Sequence, residues 1–315
     1  MTRRELLALL AAAPFGLRAG LAWAGRPPHA LVTCDFDAQL AVVDLAAGKV
    51  VRRLSCLPGP RSVERVGQTA VVAHWDIGAL SLVDVTSLRI QHEAHGYAQP
   101  RYTAAHPDGR HAFVTESGTS VVTSVDAVTG MRLGSTRRLG GWARHVSIDP
   151  SGTVLWAALG SAADKIAVVD VSLPATPVHS RTITPGFRVH DVVFDPGSDR
   201  VWVTSGDSGE TAIFARDGSV VSRLREDAAP QHVTFNAGKV FVTSGDSGTC
   251  RVYSPDGALL RTTPVPTGSF NVQSGAGGLV VTPSLVHGTL TVLDGRGALL
   301  ARVPVASSCH DACFV

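Results

Sequence analysis

The sequence predicts an all-β fold, a seven-bladed β-propeller, from three observations. The segment 201–209 (VWVTSGDSG) recurs 39 residues later as 240–248 (VFVTSGDSG). Short runs rich in Val, Thr, Ile and Phe alternate with turns of Gly, Pro and Asp, as strands joined by tight turns do. No amphipathic helical pattern occurs after residue 24. A repeat of about 40 residues with four short strands is typical of a propeller blade.

From His29 onward the chain divides into seven units, each with four β-runs separated by polar turns. The fourth run of one unit forms a hairpin with the first run of the next. The units are 29–67, 68–109, 110–152, 153–199, 200–238, 239–278 and 279–315. A large β-sandwich or two separate β-domains would not require this fixed period, so the propeller is the favoured architecture.

The two ends of the repeat array predict how the ring closes. The array starts on a first run, residues 30–34, and stops on a fourth run, residues 310–315. Because these two kinds of run pair everywhere else, we predict that residues 310–315 pair with residues 30–34. The C-terminal strand would then complete the first blade and leave no open sheet edge.

Several repeat positions resemble the YVTN-repeat family of bacterial propellers, which includes the periplasmic YncE-like proteins. The matching positions are Val114-Thr115, Val203-Thr204, Val242-Thr243, the VVD segments at 42–44 and 168–170, and the HPDG turn at 106–109. The resemblance covers about residues 29–315 and implies a propeller fold. The family includes binding proteins and relatives of cofactor-bearing enzymes, so the resemblance implies no particular chemistry.

Residues 1–24 have the organisation of a signal peptide. Arg3 and Arg4 precede an apolar run at 6–15, and small residues follow at Ala22 and Ala24. The Thr-Arg-Arg-Glu-Leu-Leu sequence resembles a twin-arginine export signal; an ordinary secretory signal is the alternative. We therefore predict a propeller over residues 25–315, located in the periplasm or secreted. The apolar run is shorter than the roughly 20 residues that span a bilayer, so no membrane span is expected in the mature chain.

The charge of the mature chain argues against a nucleic-acid partner. The whole sequence has 28 Lys and Arg residues against 26 Asp and Glu residues. Removal of residues 1–24 takes away three arginines and one glutamate and leaves a formal charge of zero. A protein that binds nucleic acid or an anionic membrane usually has a basic surface. A mature chain with no net charge does not indicate such a surface.

One end of the ring, which we call the top face, collects polar residues from every unit. The residues that enter the fourth runs are Arg61, Arg101, Arg144, His190, Gln231, Phe270 and His310. Those that follow are Ser62, Tyr102, His145, Asp191, His232, Asn271 and Asp311. Because side chains alternate along a strand, one set is expected to face the central channel and the other the neighbouring blade. Loops after the first runs add Asp35, Asp37, His74, Trp75, Asp76, Glu116, Asp207, Asp246 and His287.

The five cysteines leave three alternatives open for Cys34 and Cys309, which lie on the two strands of the predicted closure. A disulfide would lock the ring, as oxidised cysteines often do in exported proteins. Buried free thiols are the second alternative. The third is a metal site formed with His310, because thiolate and imidazole suit copper or zinc.

The predicted function is the binding of a small anionic ligand, or of a periplasmic protein partner, at the top of the channel, without intrinsic catalysis. The predicted ligand-binding residues are Arg61, Arg101, Arg144, His145, His190, His232 and His310. The alternative is a metal- or cofactor-dependent enzyme, a lyase or redox protein, that uses the four histidines with copper, zinc or iron. The two GDSG segments do not indicate a serine protease, because neither continues as GDSGGP.

Overall fold

The computed structural model describes residues 28–160, 164–226 and 228–315. The predicted signal peptide lies outside the described residues. Within them, 28 strands form seven four-stranded antiparallel sheets arranged as the blades of a propeller, so the predicted fold class is confirmed. No helix in these ranges is long and apolar enough to cross a membrane.

Every blade has four strands, ordered from the channel to the outer rim. Blade 1 has β28 (Ala312–Phe314), β1 (His29–Cys34), β2 (Gln39–Asp44) and β3 (Lys49–Ser55). Blade 2 has β4 (Pro60–Val66), β5 (Thr69–His74), β6 (Ala79–Asp84) and β7 (Arg89–His95). Blade 3 has β8 (Pro100–Ala105), β9 (His111–Glu116), β10 (Val121–Asp126) and β11 (Arg132–Ser135), and blade 4 has β12 (Trp142–Ile148), β13 (Val154–Gly160), β14 (Lys165–Asp170) and β15 (Val178–Ile183). Blade 5 has β16 (Val192–Phe194), β17 (Arg200–Thr204), β18 (Glu210–Ala215) and β19 (Val220–Arg225); blade 6 has β20 (Val233–Asn236), β21 (Lys239–Ser244), β22 (Thr249–Tyr253) and β23 (Leu259–Pro264); blade 7 has β24 (Gln273–Gly275), β25 (Leu279–Pro283), β26 (Thr289–Leu293) and β27 (Leu299–Pro304). Short 3₁₀ turns occur at Asp35–Asp37 and Ala276–Gly278.

The ring closes as the sequence predicts. β28 pairs with β1 through Leu31 and Cys313 and through their neighbours on either side. Two further backbone hydrogen bonds extend this pairing toward the top face, from Thr33 N to Asp311 O at 2.9 Å and from His310 N to Thr33 O at 3.1 Å. The inner strands of neighbouring blades contact one another all the way around, so they enclose a central channel.

The hydrophobic core of the described residues consists of seven clusters, one between each pair of neighbouring blades. Between blades 5 and 6, for example, the fully buried Trp202 shares a cluster with Val240 and Val242. Each sheet is therefore covered on both faces. This explains why the first runs are continuous apolar segments and do not alternate between apolar and polar residues.

The threonines of the repeat join neighbouring blades at the channel mouth. Thr33 Oγ1 donates a hydrogen bond to the carbonyl oxygen of Arg61 at 3.2 Å, and Thr115 Oγ1 donates one to that of Arg144 at 2.6 Å. Thr204 and Thr243 do the same for the main chains of Gln231 and Phe270. In each case the acceptor is the residue that enters the inner strand of the next blade. The repeated threonine thus fixes the backbone from which the candidate site projects.

Candidate functional site

A cavity of about 250 Å³ lies in the central channel and is lined by the inner strands. Its upper layer contains all seven residues of the second set expected from the sequence: Ser62, Tyr102, His145, Asp191, His232, Asn271 and Asp311. A layer below adds Glu64, Ser147, Thr234 and Gln273. The channel is therefore a polar compartment inside an apolar ring.

The same upper layer also holds the blades together, so the expected division between channel-facing and blade-facing residues is too simple. Five of its members form hydrogen bonds with the main chain at the next inner strand. Three donate to a carbonyl oxygen: Ser62 Oγ to that of Arg101 at 2.6 Å, His145 Nδ1 to that of His190, and Asn271 Nδ2 to that of His310 at 2.6 Å. Two accept from a backbone N–H group: Asp191 Oδ2 from Val233 and Asp311 Oδ2 from Val63, both at 3.1 Å. These side chains border the cavity, and their polar atoms also bond the main chain of the neighbouring blade. The structural and ligand-binding interpretations of this layer are thus compatible.

Arg61, Arg101 and Arg144 each lie in a β-bulge of an inner strand. The register with the neighbouring strand shifts between Pro60 and Ser62 in blade 2, between Pro100 and Thr103 in blade 3, and between Ala143 and Val146 in blade 4. A bulge adds one residue and interrupts the alternation of side chains, and bulges often re-aim side chains beside functional sites. Simple alternation therefore fails at these positions, and no bulge was expected from the sequence.

The three arginines form a positive arc at the top of the channel. Burial, followed by the charges of Arg144 and Arg61, lowers the pKa of Arg101 to about 10. The Nε atoms of Arg61 and Arg101 are buried and have no hydrogen-bond partner in the described chain. The Cζ atom of Arg101 lies over the ring of Trp75, 5.9 Å from its centroid. The arc is a group of cations held close together.

Three histidines from blades 4, 5 and 6 meet beside this arc. The ring centroids are 4.7 Å apart for His145 and His190, 4.3 Å for His145 and His232, and 5.1 Å for His190 and His232. One ligand atom from each ring lies within 4.8 Å of the others. Burial first, and then the neighbouring charged groups, hold the pKa of His145 and His232 well below the ordinary value and lower that of His190 to about 3. The three imidazoles are therefore neutral at physiological pH.

His310, the fourth predicted histidine, lies at the same mouth but outside this triad. It is 5% exposed, and its Nδ1 is 3.3 Å from Asn271 Nδ2. Burial and then the charge of Arg61 hold its pKa well below the ordinary value. The structure thus brings the seven predicted ligand-binding residues to one end of the channel, and of these His145 and His232 line the cavity.

The first GDSG segment makes room for His190. Gly206 has a φ of +74°, and a Cβ atom at this position would lie 2.6 Å from the Cβ and Nδ1 atoms of His190. A side chain there would displace the imidazole. The segment therefore has a positional role in the site, which motif comparison with proteases did not suggest.

We expect Gly206→Ala to destabilise the protein more than Gly238→Ala. Gly238 has a similar φ of +68° but nothing within 4 Å of the Cβ that alanine would add, so it reports the backbone strain alone. That strain amounts to roughly 1–2 kcal/mol for a left-handed residue. Gly206→Ala adds the collision with His190, and denaturant unfolding of both variants measures the difference. Equal losses of stability would contradict the close approach.

Three acidic residues of the top-face loops have partners of their own. Glu116 forms an ion pair with Arg132 at 3.1 Å, Asp207 lies 3.6 Å from Arg188, and Asp246 accepts a hydrogen bond from Gln231 at 3.2 Å. Asp191 and Asp311 remain in the channel, where burial raises the pKa of both carboxyls to about 7. Their negative charge is only partly developed near neutral pH.

Two histidines assigned to the top face do not belong to the channel. His74 is fully buried inside blade 2, where its Nε2 is 2.8 Å from Ser81 Oγ and its Nδ1 is 3.1 Å from Pro58 O. His287 is exposed, and its Nε2 lies 3.0 Å from Thr267 Oγ1. A sequence repeat gives the blade of each residue, but it does not give the direction of a loop side chain.

All five cysteines are free thiols in the structure, as in the second of the three alternatives, and no disulfide joins Cys34 to Cys309. Cys34 and Cys309 nevertheless lie within hydrogen-bonding reach, and the bond from Cys309 lowers the pKa of Cys34. Their expected proximity is confirmed. No group of potential metal ligands in the described residues combines these two thiols with His310.

Comparison with known proteins gives the fold and no more. No protein-family model matches the chain, and no curated protein matches it. Solved structures do match. A protein of unknown function from Desulfotomaculum acetoxidans has a TM-score of 0.78 at 11% identity, with 91% of this chain and 98% of that chain covered. Kuenenia stuttgartiensis hydrazine synthase has a TM-score of 0.67 at 17% identity, with 81% and 89% covered.

A third match is the dihydro-heme d1 dehydrogenase NirN, with a TM-score of 0.64 at 16% identity over 94% of this chain and 66% of that chain. Identities this low show the propeller fold alone. The resemblance to the YVTN-repeat and YncE-like proteins therefore stays a prediction, and so does the choice between binding and catalysis.

Proposed function

We propose that this protein is an exported propeller that binds a small anion, a carboxylate or an oxyanion such as sulfate, at the top of its central channel. The observation that carries the proposal is the arginine arc, Arg61, Arg101 and Arg144. Two unit charges at 4 Å interact by about 4 kcal/mol at an effective dielectric constant of 20, and by less at longer range. An anion between the guanidiniums replaces their mutual repulsion with attraction.

The chemistry of arginine favours this class of ligand. A guanidinium presents a planar fork of donors that matches a carboxylate or oxyanion with two parallel hydrogen bonds. The buried Nε atoms of Arg61 and Arg101 lack an acceptor within the described residues, and the nearby Glu116 and Asp207 have partners of their own. The location outside the cytoplasm is proposed from the N-terminal sequence, Arg3, Arg4 and the apolar run that follows.

We expect sulfate and acetate to raise the melting temperature of the purified protein in buffer with EDTA, against perchlorate at the same ionic strength. Arg101→Gln/Arg144→Gln should weaken anion binding at least about tenfold, because each charge-assisted hydrogen bond contributes about 1.5–3 kcal/mol. Titration calorimetry measures the affinity.

The matched control is Arg52→Gln/Arg89→Gln, which changes two exposed arginines on the outer strands β3 and β7. It removes two positive charges from the outer rim of the ring and should bind the anion like the parent. Anion binding that is equal in the two double variants would refute the proposal.

A further inference from the structure

We infer that His145, His190 and His232 bind one divalent transition metal ion of the zinc type, and that this ion and the anion on the arginine arc bind together. The inference rests on the proposed function, because the anion is the one proposed above. It adds a metal ligand set, and it predicts that the affinity for the metal depends on the anion.

The spacing of the triad suits a single ion. Zinc lies about 2.0–2.1 Å from imidazole nitrogens, which places the nitrogens of a tetrahedral site about 3.3 Å apart. The three ligand atoms already lie within 4.8 Å of one another on three separate inner strands. The remaining gap has to be closed by rotation of the His190 and His232 rings. Three histidine ligands leave a fourth position open for an exogenous ligand.

His145 is oriented as a metal ligand. Its Nδ1 bonds the carbonyl oxygen of His190, which accepts and cannot donate, so Nδ1 carries the proton. The lone pair is therefore on Nε2, an atom that is buried and has no hydrogen-bond partner in the described chain. Metal-bound histidines usually donate their other ring nitrogen to a carbonyl or carboxylate in this way.

The lone pair on His145 Nε2 also gives the metal ion and the anion different positions at the mouth of the channel. An unprotonated nitrogen repels an anion and attracts a cation or a hydrogen-bond donor, so this side of the mouth does not suit the anion. His232 faces a carboxyl group, with its Nδ1 3.6 Å from Asp191 Oδ2, which is beyond hydrogen-bond distance. The Tyr102 ring packs 3.9 Å from that of His145 and limits its movement.

The arginine arc makes the bare ion an unfavourable ligand. A dication beside several guanidiniums is repelled by each of them, and this repulsion is strong where water is excluded. An anion at the arc offsets these charges and can occupy the open position on the metal. Each ligand therefore raises the affinity for the other by the same factor, as thermodynamic linkage requires.

The test is titration of the purified protein with Co²⁺, a spectroscopic substitute for zinc, followed by its visible absorption, and with Zn²⁺ followed by calorimetry. Each titration is done in perchlorate and in sulfate at equal ionic strength. We expect one ion per chain with the intense bands of four-coordinate cobalt, and an affinity at least about tenfold higher in sulfate, equivalent to about 1.4 kcal/mol.

Matched variants assign the effect to the named residues. His190→Ala/His232→Ala should lose the cobalt bands, whereas His287→Ala, a histidine exposed outside the channel, should keep them. Arg101→Gln/Arg144→Gln should bind the metal more tightly than the parent in perchlorate and should lose the dependence on sulfate. A purely structural role of the arginines would produce neither change.

The outcomes also distinguish this inference from the proposed function. Absence of metal binding in both buffers, or equal affinity in the two buffers, overturns the inference and leaves anion binding in EDTA intact. Metal retained by His190→Ala/His232→Ala overturns the assigned ligands. Loss of anion binding in EDTA with anion-independent metal binding would refute the anion proposal and the coupling together.

Discussion

Deletion of residues 310–315 is expected to leave the protein insoluble or unfolded. These residues include β28, and Asp311, Ala312 and Cys313 are all at most 5% exposed. Ala312 belongs to the cluster between blades 1 and 7, and Cys313 belongs to the cluster between blades 1 and 2. The deletion thus opens two interfaces and leaves the ladder of β1 without a partner.

The free energy of unfolding lost in this deletion is as large as the whole stability of a typical domain. Each buried apolar side chain contributes about 1.5–3 kcal/mol, and a domain is stable by only about 5–15 kcal/mol. Deletion of the partly exposed Val315 alone is the control and should remain soluble. Addition of a peptide of residues 306–315 to the refolding mixture should rescue the longer deletion. A soluble variant with the parental melting temperature would contradict the closure.

Asp311→Ala and Asp191→Ala should each destabilise the protein by about 2–6 kcal/mol. Asp311 accepts hydrogen bonds from Val63 N at 3.1 Å and Ala312 N at 2.9 Å. Asp191 accepts them from Val233 N at 3.1 Å and Val192 N at 2.8 Å. Alanine leaves two buried N–H groups unpaired in each case, and each such group costs about 1–3 kcal/mol.

Denaturant unfolding measures these losses. Asp311→Asn keeps one acceptor oxygen and should lose less than Asp311→Ala. Asp256→Ala is the surface control, because Asp256 is 83% exposed and its bond to Arg200 should contribute at most about 1 kcal/mol. Variants in the channel that are as stable as this control would refute the role of the carboxyls in joining blades.

The advantage of Asp311 over Asn should shrink as pH rises. Burial raises the pKa of Asp311 to about 7, above the value of about 3.9 in an unfolded chain. A raised pKa gives stability that is complete below the unfolded value and is lost as pH rises through the folded value. The stability difference between parent and Asp311→Asn should therefore be larger at pH 4 than at pH 8. A difference that grows with pH would contradict the shift.

The blades and their closure were predictable because they depend on period and pairing alone. The repeat of residues 201–209 at 240–248 fixed the unit, and the unpaired runs at the two ends fixed the partner of residues 310–315. The direction of side chains was less accessible. Bulges at Arg61, Arg101 and Arg144 interrupt the alternation of side chains between the two faces of a strand, on which a sequence-based prediction relies. No local sequence pattern indicates these bulges.

The histidine triad illustrates the same limit. His145, His190 and His232 are separated by more than 40 residues at each step of the chain, and only the curvature of the ring brings their rings together. The sequence correctly placed them on one end of the channel. It also placed His74 on this face, although that ring turns into its own blade, because a histidine at a strand end looks the same in both situations.

The bonds from the repeated threonines have a consequence for how this ring could be re-engineered. Thr33 and Thr115 hold the main-chain carbonyls of Arg61 and Arg144 and make no demand on those side chains. The chain therefore separates the part that builds the wall from the part that meets a ligand. At these two positions a designer could exchange the arginine side chain, one blade at a time, to introduce a new specificity without removing the threonine bonds of the frame.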